Sequence, residues 1–232
     1  MANEDISKCW YKEVCTWARQ NPCNPDTCLK YLEISYLMDS SGIPKSKQQP
    51  ILLDGGLDYS GYNRLAEIKV DIENWVASGN NLFICSSKTG NGKTSWAIKL
   101  LQKYFDKIWA GNGFKTRALF IHVPTLLFQL KDFNSPLDPD YKQDILDCDI
   151  VVWDDIAGVE LSNYDYGQLL LYVDHRISSN KANIFTSNCI SKRDMEAAIG
   201  TKLASRIWNV SEIIQFIGND RRSINGSITD SI

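Results

Sequence analysis

Apolar residues fall along this chain in two rhythms. Short continuous runs form the first: residues 82–85 (Leu-Phe-Ile-Cys), 118–123 (Ala-Leu-Phe-Ile-His-Val), 149–155 (Asp-Ile-Val-Val-Trp-Asp-Asp), 183–188 (Asn-Ile-Phe-Thr-Ser-Asn) and 212–217 (Glu-Ile-Ile-Gln-Phe-Ile). Runs of this length, rich in β-branched and aromatic residues, predict buried strands. The second rhythm is helical. Leu65, Ile68, Ile72, Trp75 and Val76 mark one side of a helix over 63–77, and Ala97, Leu101, Tyr104, Phe105 and Ile108 mark one over 95–109. Further helices are expected over 124–132, 166–178 and 201–208, with a proline-containing loop over 134–140. Strands alternating with helices predict an α/β fold around a parallel sheet. Within this pattern His122 reads as a core histidine, and His175 and Arg176 as residues facing solvent or a subunit interface.

The N-terminal stretch is different. Four of the seven cysteines crowd into it: Cys9, Cys15, Cys23 and Cys28, spaced C-x5-C-x7-C-x4-C. Four thiolates suit tetrahedral Zn²⁺, although the spacing is looser than that of paired-cysteine zinc ribbons. Buried thiols on short helices, or a disulfide pair, are the other readings. An amphipathic helix over 29–38 and a polar linker over 39–49 follow. The expected division is a cysteine-rich module with its linker over 1–50 and a larger domain over 51–232.

Candidate chemistry is concentrated after the first strand, where Ser87-Lys88-Thr89-Gly90-Asn91-Gly92-Lys93-Thr94 leads into a helix. Strand, Gly-containing turn and helix are the setting of a phosphate-binding loop, whose successive N–H groups cradle phosphate oxygens. Thr89, Gly90, Asn91, Gly92 and Ser95 would line the nucleotide, Lys93 would reach its β- and γ-phosphates, and the Thr94 hydroxyl would hold Mg²⁺. Ser87 stands where the pattern has its first Gly, so a differently shaped turn is expected there.

A second site element is the run ending in Asp154-Asp155. Asp154 would coordinate Mg²⁺, and Asp155 would act as general base toward water. Asn188 closes another strand; its amide either orients water near the γ-phosphate or caps a turn.

Composition narrows the remaining classes. With 232 residues, 44% of them hydrophobic and 23% charged, the chain is long enough for a sizeable core. It has no apolar run of membrane-spanning length, and its polar start does not read as a signal peptide, so a cytoplasmic protein is expected. A formal charge of −3 argues against nucleic-acid binding through bulk positive charge, so any DNA contact is expected to be local.

Taken together, Gly90–Thr94, Val151-Val152-Trp153-Asp154-Asp155-Ile156, Phe185-Thr186-Ser187-Asn188, Leu203-Ala204-Ser205-Arg206-Ile207 and Asp220-Arg221-Arg222 resemble the AAA+ ATPases of the bacterial and phage helicase-loader group, which also includes transposase-helper ATPases. The resemblance covers roughly residues 54–222. It implies a five-stranded parallel sheet ordered 5-1-4-3-2, no C-terminal helical lid, ATP and Mg²⁺ as ligands, and assembly of the chain on ATP binding. Arg206 matches the arginine finger acting on a neighbour's ATP, and Arg221 or Arg222 the second nucleotide sensor. Between the second and third strands the family implies a segment that touches single-stranded DNA; here it offers Phe128, Lys131 and Lys142, with the core as the alternative place for Phe128. The cysteine-bearing front looks like modules that grip a hexameric replicative helicase in loaders, and the compact length points to a phage. The function so implied is ATP-dependent loading of a replicative helicase onto single-stranded DNA. Its alternatives are a transposition helper acting on duplex DNA and a non-catalytic helicase-binding adaptor.

Overall fold

In the chain's computed structural model, Cys9, Cys15 and residues 26–48, 59–132 and 136–218 are described. The apolar runs form five strands: β1 (Asn81–Cys85), β2 (Ala118–His122), β3 (Ile150–Asp154), β4 (Ala182–Ser187) and β5 (Ser211–Gln215). They make one parallel sheet in the order β2-β3-β4-β1-β5, which is the 5-1-4-3-2 arrangement expected from the resemblance. Side chains alternate across it. Leu82, Ile84, Phe120, Ile150, Val152 and Ile184 feed one apolar layer; Phe83, Leu119, Ile121, Val151, Trp153 and Phe185 feed the other. Both faces are covered by helices, which is why the strands read as unbroken apolar runs.

The first layer is closed by α1 (Leu29–Ser40), α2 (Tyr59–Val70), α3 (Ile72–Ala77) and α4 (Lys93–Ile108). The single helix expected over 63–77 is two: α2 stops at Val70, and α3 restarts after Asp71. α1 brings the fully buried Ile34, Leu37 and Met38 into the layer, and Lys30 pairs with Asp106 of α4 at 2.7 Å. After α1 the chain is not a loose connection. Ser41 accepts a hydrogen bond from the Phe120 N–H of β2 at 2.7 Å, and a 3-10 turn over Lys45–Lys47 is tied to Gln102 of α4. The expected boundary at residue 50 lies among residues outside those described.

The second layer carries α5 (Val123–Leu130), α6 (Pro139–Asp147), α7 (Asn163–Ser178), α8 (Lys192–Ile199) and α9 (Thr201–Trp208). α6 begins inside the expected loop, because Pro139 sits at its first turn and the Asp138 side chain accepts from Asp140 N–H. α7 opens with a capping box of Ser162 and Asp165.

Two expectations are corrected here. Arg176 does not face solvent: it is fully buried beneath α7. Its guanidinium donates to Asn183 Oδ1 at 2.9 Å and to the carbonyls of Ile145, Cys148 and Ala182 at 2.9, 3.0 and 2.7 Å. Asn183 in turn accepts from the Trp153 indole N–H at 3.1 Å. Asn183 and carbonyl oxygens thus disperse a buried charge that no carboxylate among the described residues pairs with directly. His175, two positions from the buried Val173, is exposed as expected. His122, by contrast, is no core histidine: it lies exposed at the end of β2 with Nδ1 2.8 Å from Thr125 Oγ1.

Candidate nucleotide site

Parallel strands deliver their C-terminal ends to one edge of the sheet, and ligands of such sheets bind there. At that edge a cavity of about 580 Å³ is lined by Thr89, Gly90, Asn91, Gly92, Lys93, Thr94, Ser95, Asp154, Asp155 and Asn188, joined by Lys47, His122 and Thr186. The loop after β1 takes its shape from Gly90 (φ +67°) and Gly92 (φ +98°), both in the left-handed region that favours glycine. Ser87 is not among the residues with positive φ, so a side chain is tolerated where the usual pattern has Gly. Asn91 is buried and braces the loop from within: its amide donates to Ser86 Oγ at 2.5 Å, and its carbonyl accepts from Tyr62 Oη at 3.4 Å.

Lys93 opens α4 and is folded inward. Its ammonium donates to Asn188 Oδ1 and to the Lys88 carbonyl, each at 2.9 Å. One turn of loop and the end of β4 are therefore already linked through the cation that would meet phosphate. Beside it the Thr94 hydroxyl donates to Asp154 Oδ1 at 2.8 Å, and Thr186 Oγ1 donates to the same oxygen at 2.7 Å. The Thr186 hydroxyl also accepts from Asp155 N–H at 3.0 Å. Asp155 adopts φ +57°, an uncommon conformation for a residue with a side chain, and Gly158 leaves room for it. A Cβ at Gly158 would fall 2.1 Å from Asp155 Oδ2.

Beneath the loop, burial raises the Cys85 thiol to about 11, an effect the nearby Lys93 ammonium reduces. Cys85 is therefore a packed, protonated thiol.

Other expected site residues lie elsewhere. Arg206, half-exposed on α9, does not line its own chain's phosphate cavity; its Nε is 3.0 Å from Asp174 Oδ1 of α7. Phe128 is 75% exposed on α5, which removes it from the core. Lys131 is held 2.7 Å from the buried Asp165 carboxylate, and Lys142 is half-buried on α6. Burial would push Asp165 up, but hydrogen bonds from Lys131 and Ser162 bring it below the usual carboxylate range. Arg221 and Arg222 lie outside the described residues.

The cysteine set does not fit zinc where it is described. Cys9 and Cys15 are buried in the same apolar layer as α1, and Cys28 is half-exposed just before that helix. Among the described residues no group of three or more His, Cys, Asp or Glu could hold a metal ion; Cys23 lies outside them. Nor, among the described residues, is any helix long and apolar enough to cross a membrane.

Sequence reasoning passed over three residues of the cavity. His122 closes a strand, and its position at the C-terminal edge of a parallel sheet was a usable signal. Thr186 lay within a motif but gave no sign of which atom it would touch. Lys47 had none, since it reaches the site from a distant segment.

Five parallel strands in this order, with a Gly-rich loop after β1, acids after β3 and a polar strand end at β4, give the chain the sheet arrangement of AAA+ domains. No family model and no curated protein matches the sequence. Among solved structures, the DnaC helicase loader is similar, with TM-score 0.57 and 23% identity over 67% of this chain and 90% of that one. A primosome component from Streptococcus pyogenes superposes with TM-score 0.63 and 16% identity over 81% of this chain and 98% of its own. The replication initiator DnaA, bound to AMPPCP and single-stranded DNA, gives TM-score 0.54 and 14% identity over 72% and 48%. At these identities the shared property is the fold.

Proposed function

We propose that this chain is an ATP-dependent loader that delivers a replicative DNA helicase to single-stranded DNA. The observation that supports it most is the linked set Lys93–Asn188 and Thr94–Asp154–Thr186, present in a fold shared with helicase loaders.

In this reading the amides of residues 89–94 and the start of α4 receive the phosphates, and Lys93 turns from Asn188 to the β- and γ-oxygens. Mg²⁺ fits the donors present, because the Thr94 hydroxyl and Asp154 carboxylate are hard oxygen ligands only 2.8 Å apart. When bound, the ion neutralises phosphate charge. Asp155 then accepts a proton from the attacking water, and the Asn188 amide, released by Lys93, orients that water. Arg206 acts on the ATP of a neighbouring copy. Its pairing with Asp174 is solvent-exposed and worth about 1 kcal/mol or less, so it opposes that role weakly. Arg221 or Arg222 serves as second sensor.

Single-stranded DNA is met by the region of α5 and α6. Phe128 offers a stacking face, and Lys131 and Lys142 follow the backbone. Tyr164, 47% exposed with its hydroxyl 3.4 Å from the Leu130 carbonyl, sets a second aromatic beside the end of α5. The helicase is gripped by the stretch leading into α1 together with that helix's outer face, where Leu29 and Leu32 are 59% and 43% exposed.

Light scattering after size exclusion, on the chain mixed with a hexameric replicative helicase and ATP·Mg²⁺, tests the proposal. A stable complex is expected for the wild type and its loss for Leu29→Glu/Leu32→Glu, which leaves the buried face of α1 intact. Binding of the helicase without any ATP hydrolysis in the assembled complex would favour the adaptor. ATP-driven assembly on duplex DNA with no helicase complex would favour the transposition helper.

A further inference from the structure

The turn after α1 carries two lysines with different surroundings. Lys45 is paired with Asp39, whose carboxylate is held below its ordinary range by that ammonium. Lys47 forms no ion pair among the described residues, is exposed, and lines the phosphate cavity.

Its backbone is fixed. The Lys47 and Gln48 carbonyls both accept from Gln102 Nε2 at 3.2 Å, and Gln102 is buried on α4, the helix that opens with Lys93. Lys47 N–H bonds to the Pro44 carbonyl at 2.7 Å, while the Gln48 amide reaches Asp39 Oδ1 at 2.9 Å and the Ile43 carbonyl at 3.0 Å. A rigid turn therefore projects a cation that forms no ion pair among the described residues, on a flexible stem, toward an anion-binding site.

Topology says which end of the nucleotide it faces. The segment from Ser41 lies along β2, at one edge of the sheet, through the Ser41–Phe120 bond. Tyr62 of α2 packs at the other side of the loop, against Trp96 and Phe216, the residue that follows β5. Ser95, seven positions before Gln102 and so on the same face of α4, lines the cavity, as does His122 at the end of β2. That side holds the acids Asp154 and Asp155, hence the metal and terminal phosphate.

We infer that Lys47 is a terminal-phosphate contact: its ammonium binds the outermost phosphate of a nucleoside triphosphate and so ties nucleotide state to the segment that carries α1. The assignment rests on the cavity being a nucleotide site. A diphosphate lacks the group that Lys47 reaches, so occupancy by triphosphate draws the turn inward and diphosphate leaves it free. Because coupling is reciprocal, a partner that holds α1 in place strengthens triphosphate binding by the same factor.

Isothermal titration of the full chain with AMPPCP and with ADP, each with Mg²⁺, provides the test. Lys47→Ala should weaken AMPPCP about 5–10-fold and ADP less than twofold, with Lys47→Arg near wild type. Lys45→Ala should bind both as the wild type does. Unchanged AMPPCP affinity in Lys47→Ala, or an equal loss for both nucleotides, would overturn the assignment. Failure of the wild-type chain to bind either nucleotide would instead sink the nucleotide-site reading beneath it. Because Lys47 is exposed and forms no ion pair among the described residues, the thermal midpoint of Lys47→Ala should match the wild type, which separates the effect from misfolding.

Discussion

One hydroxyl, that of Thr186, orders both acids of the site. It donates to Asp154 and accepts from the amide of Asp155, so the left-handed backbone at Asp155 is held by a side chain from a neighbouring strand. Thr186→Val keeps the shape and removes both bonds. Turnover should fall about 10–100-fold while the Kd for AMPPCP changes little, and Thr186→Ser should restore most of the rate. Stopped ATPase assays beside the same titrations would check this. At this scale the sequence was legible where chemistry follows spacing. Lys93, Thr94, Asp154, Asp155 and Asn188 were readable from motif order and do line one cavity. Thr186 and Lys47 were not, because their contribution depends on which strand neighbours which and on a turn more than forty residues before the loop, whereas His122 was read as core despite closing a strand. Arg176 was misread for a related reason: a charged residue on a helix is normally solvated, and only the fold shows the carbonyls that receive it.

Among the elements, α7 is fastened at both ends by different means. Its start is capped by Ser162 and Asp165, and its last turn is pinned by Arg176 to β4, to the last turn of α6 and to Cys148 just after it. Arg176→Met would leave the carbonyls of Ile145, Leu146, Cys148 and Ala182 and the Asn183 amide oxygen short of a donor. A stability loss of about 3 kcal/mol or more is expected from urea unfolding, with nucleotide affinity of the remaining folded protein unchanged, since this knot sits at the opposite edge of the sheet from the cavity. The thiols buried in the second layer give the elements a pH limit. Burial raises Cys85 and Cys148 to about 11 each, with Arg176 tempering the effect at Cys148. An unfolded thiol loses its proton near pH 8.5. Between those values the unfolded chain binds fewer protons than the folded one, so stability falls as pH rises and is unaffected below about pH 8. Urea midpoints at pH 7.5 and pH 10 should show the drop, and Cys85→Ala should lessen it. Strands and most helices were legible here from apolar period alone. The break at Asp71 and the early start of α6 were not, since each turns on local capping that periodicity does not register.

For the whole molecule, the AAA+ sheet order followed from the resemblance, whereas the place of α1 did not. An amphipathic helix after a cysteine-rich stretch reads as part of a separate module, yet its buried side completes the layer beneath β2 and α4. The Ser41 carbonyl on the Phe120 N–H has a consequence beyond attachment. β2 is one of the two edge strands of the sheet, and an edge strand with bare N–H and C=O groups is a template on which another chain can pair. Ser41 occupies one of those groups, and Gly42 passes close enough that a Cβ there would lie 3.3 Å from the Phe120 carbonyl oxygen. A chain shortened to begin at residue 59 would keep every residue of the phosphate loop and both acids, but would bare this strand. It should scatter more light as its concentration rises, at nucleotide-free conditions where the full chain stays dispersed. Such a rise in scattering would mark the Ser41–Gly42 segment as a cover on this edge of the sheet.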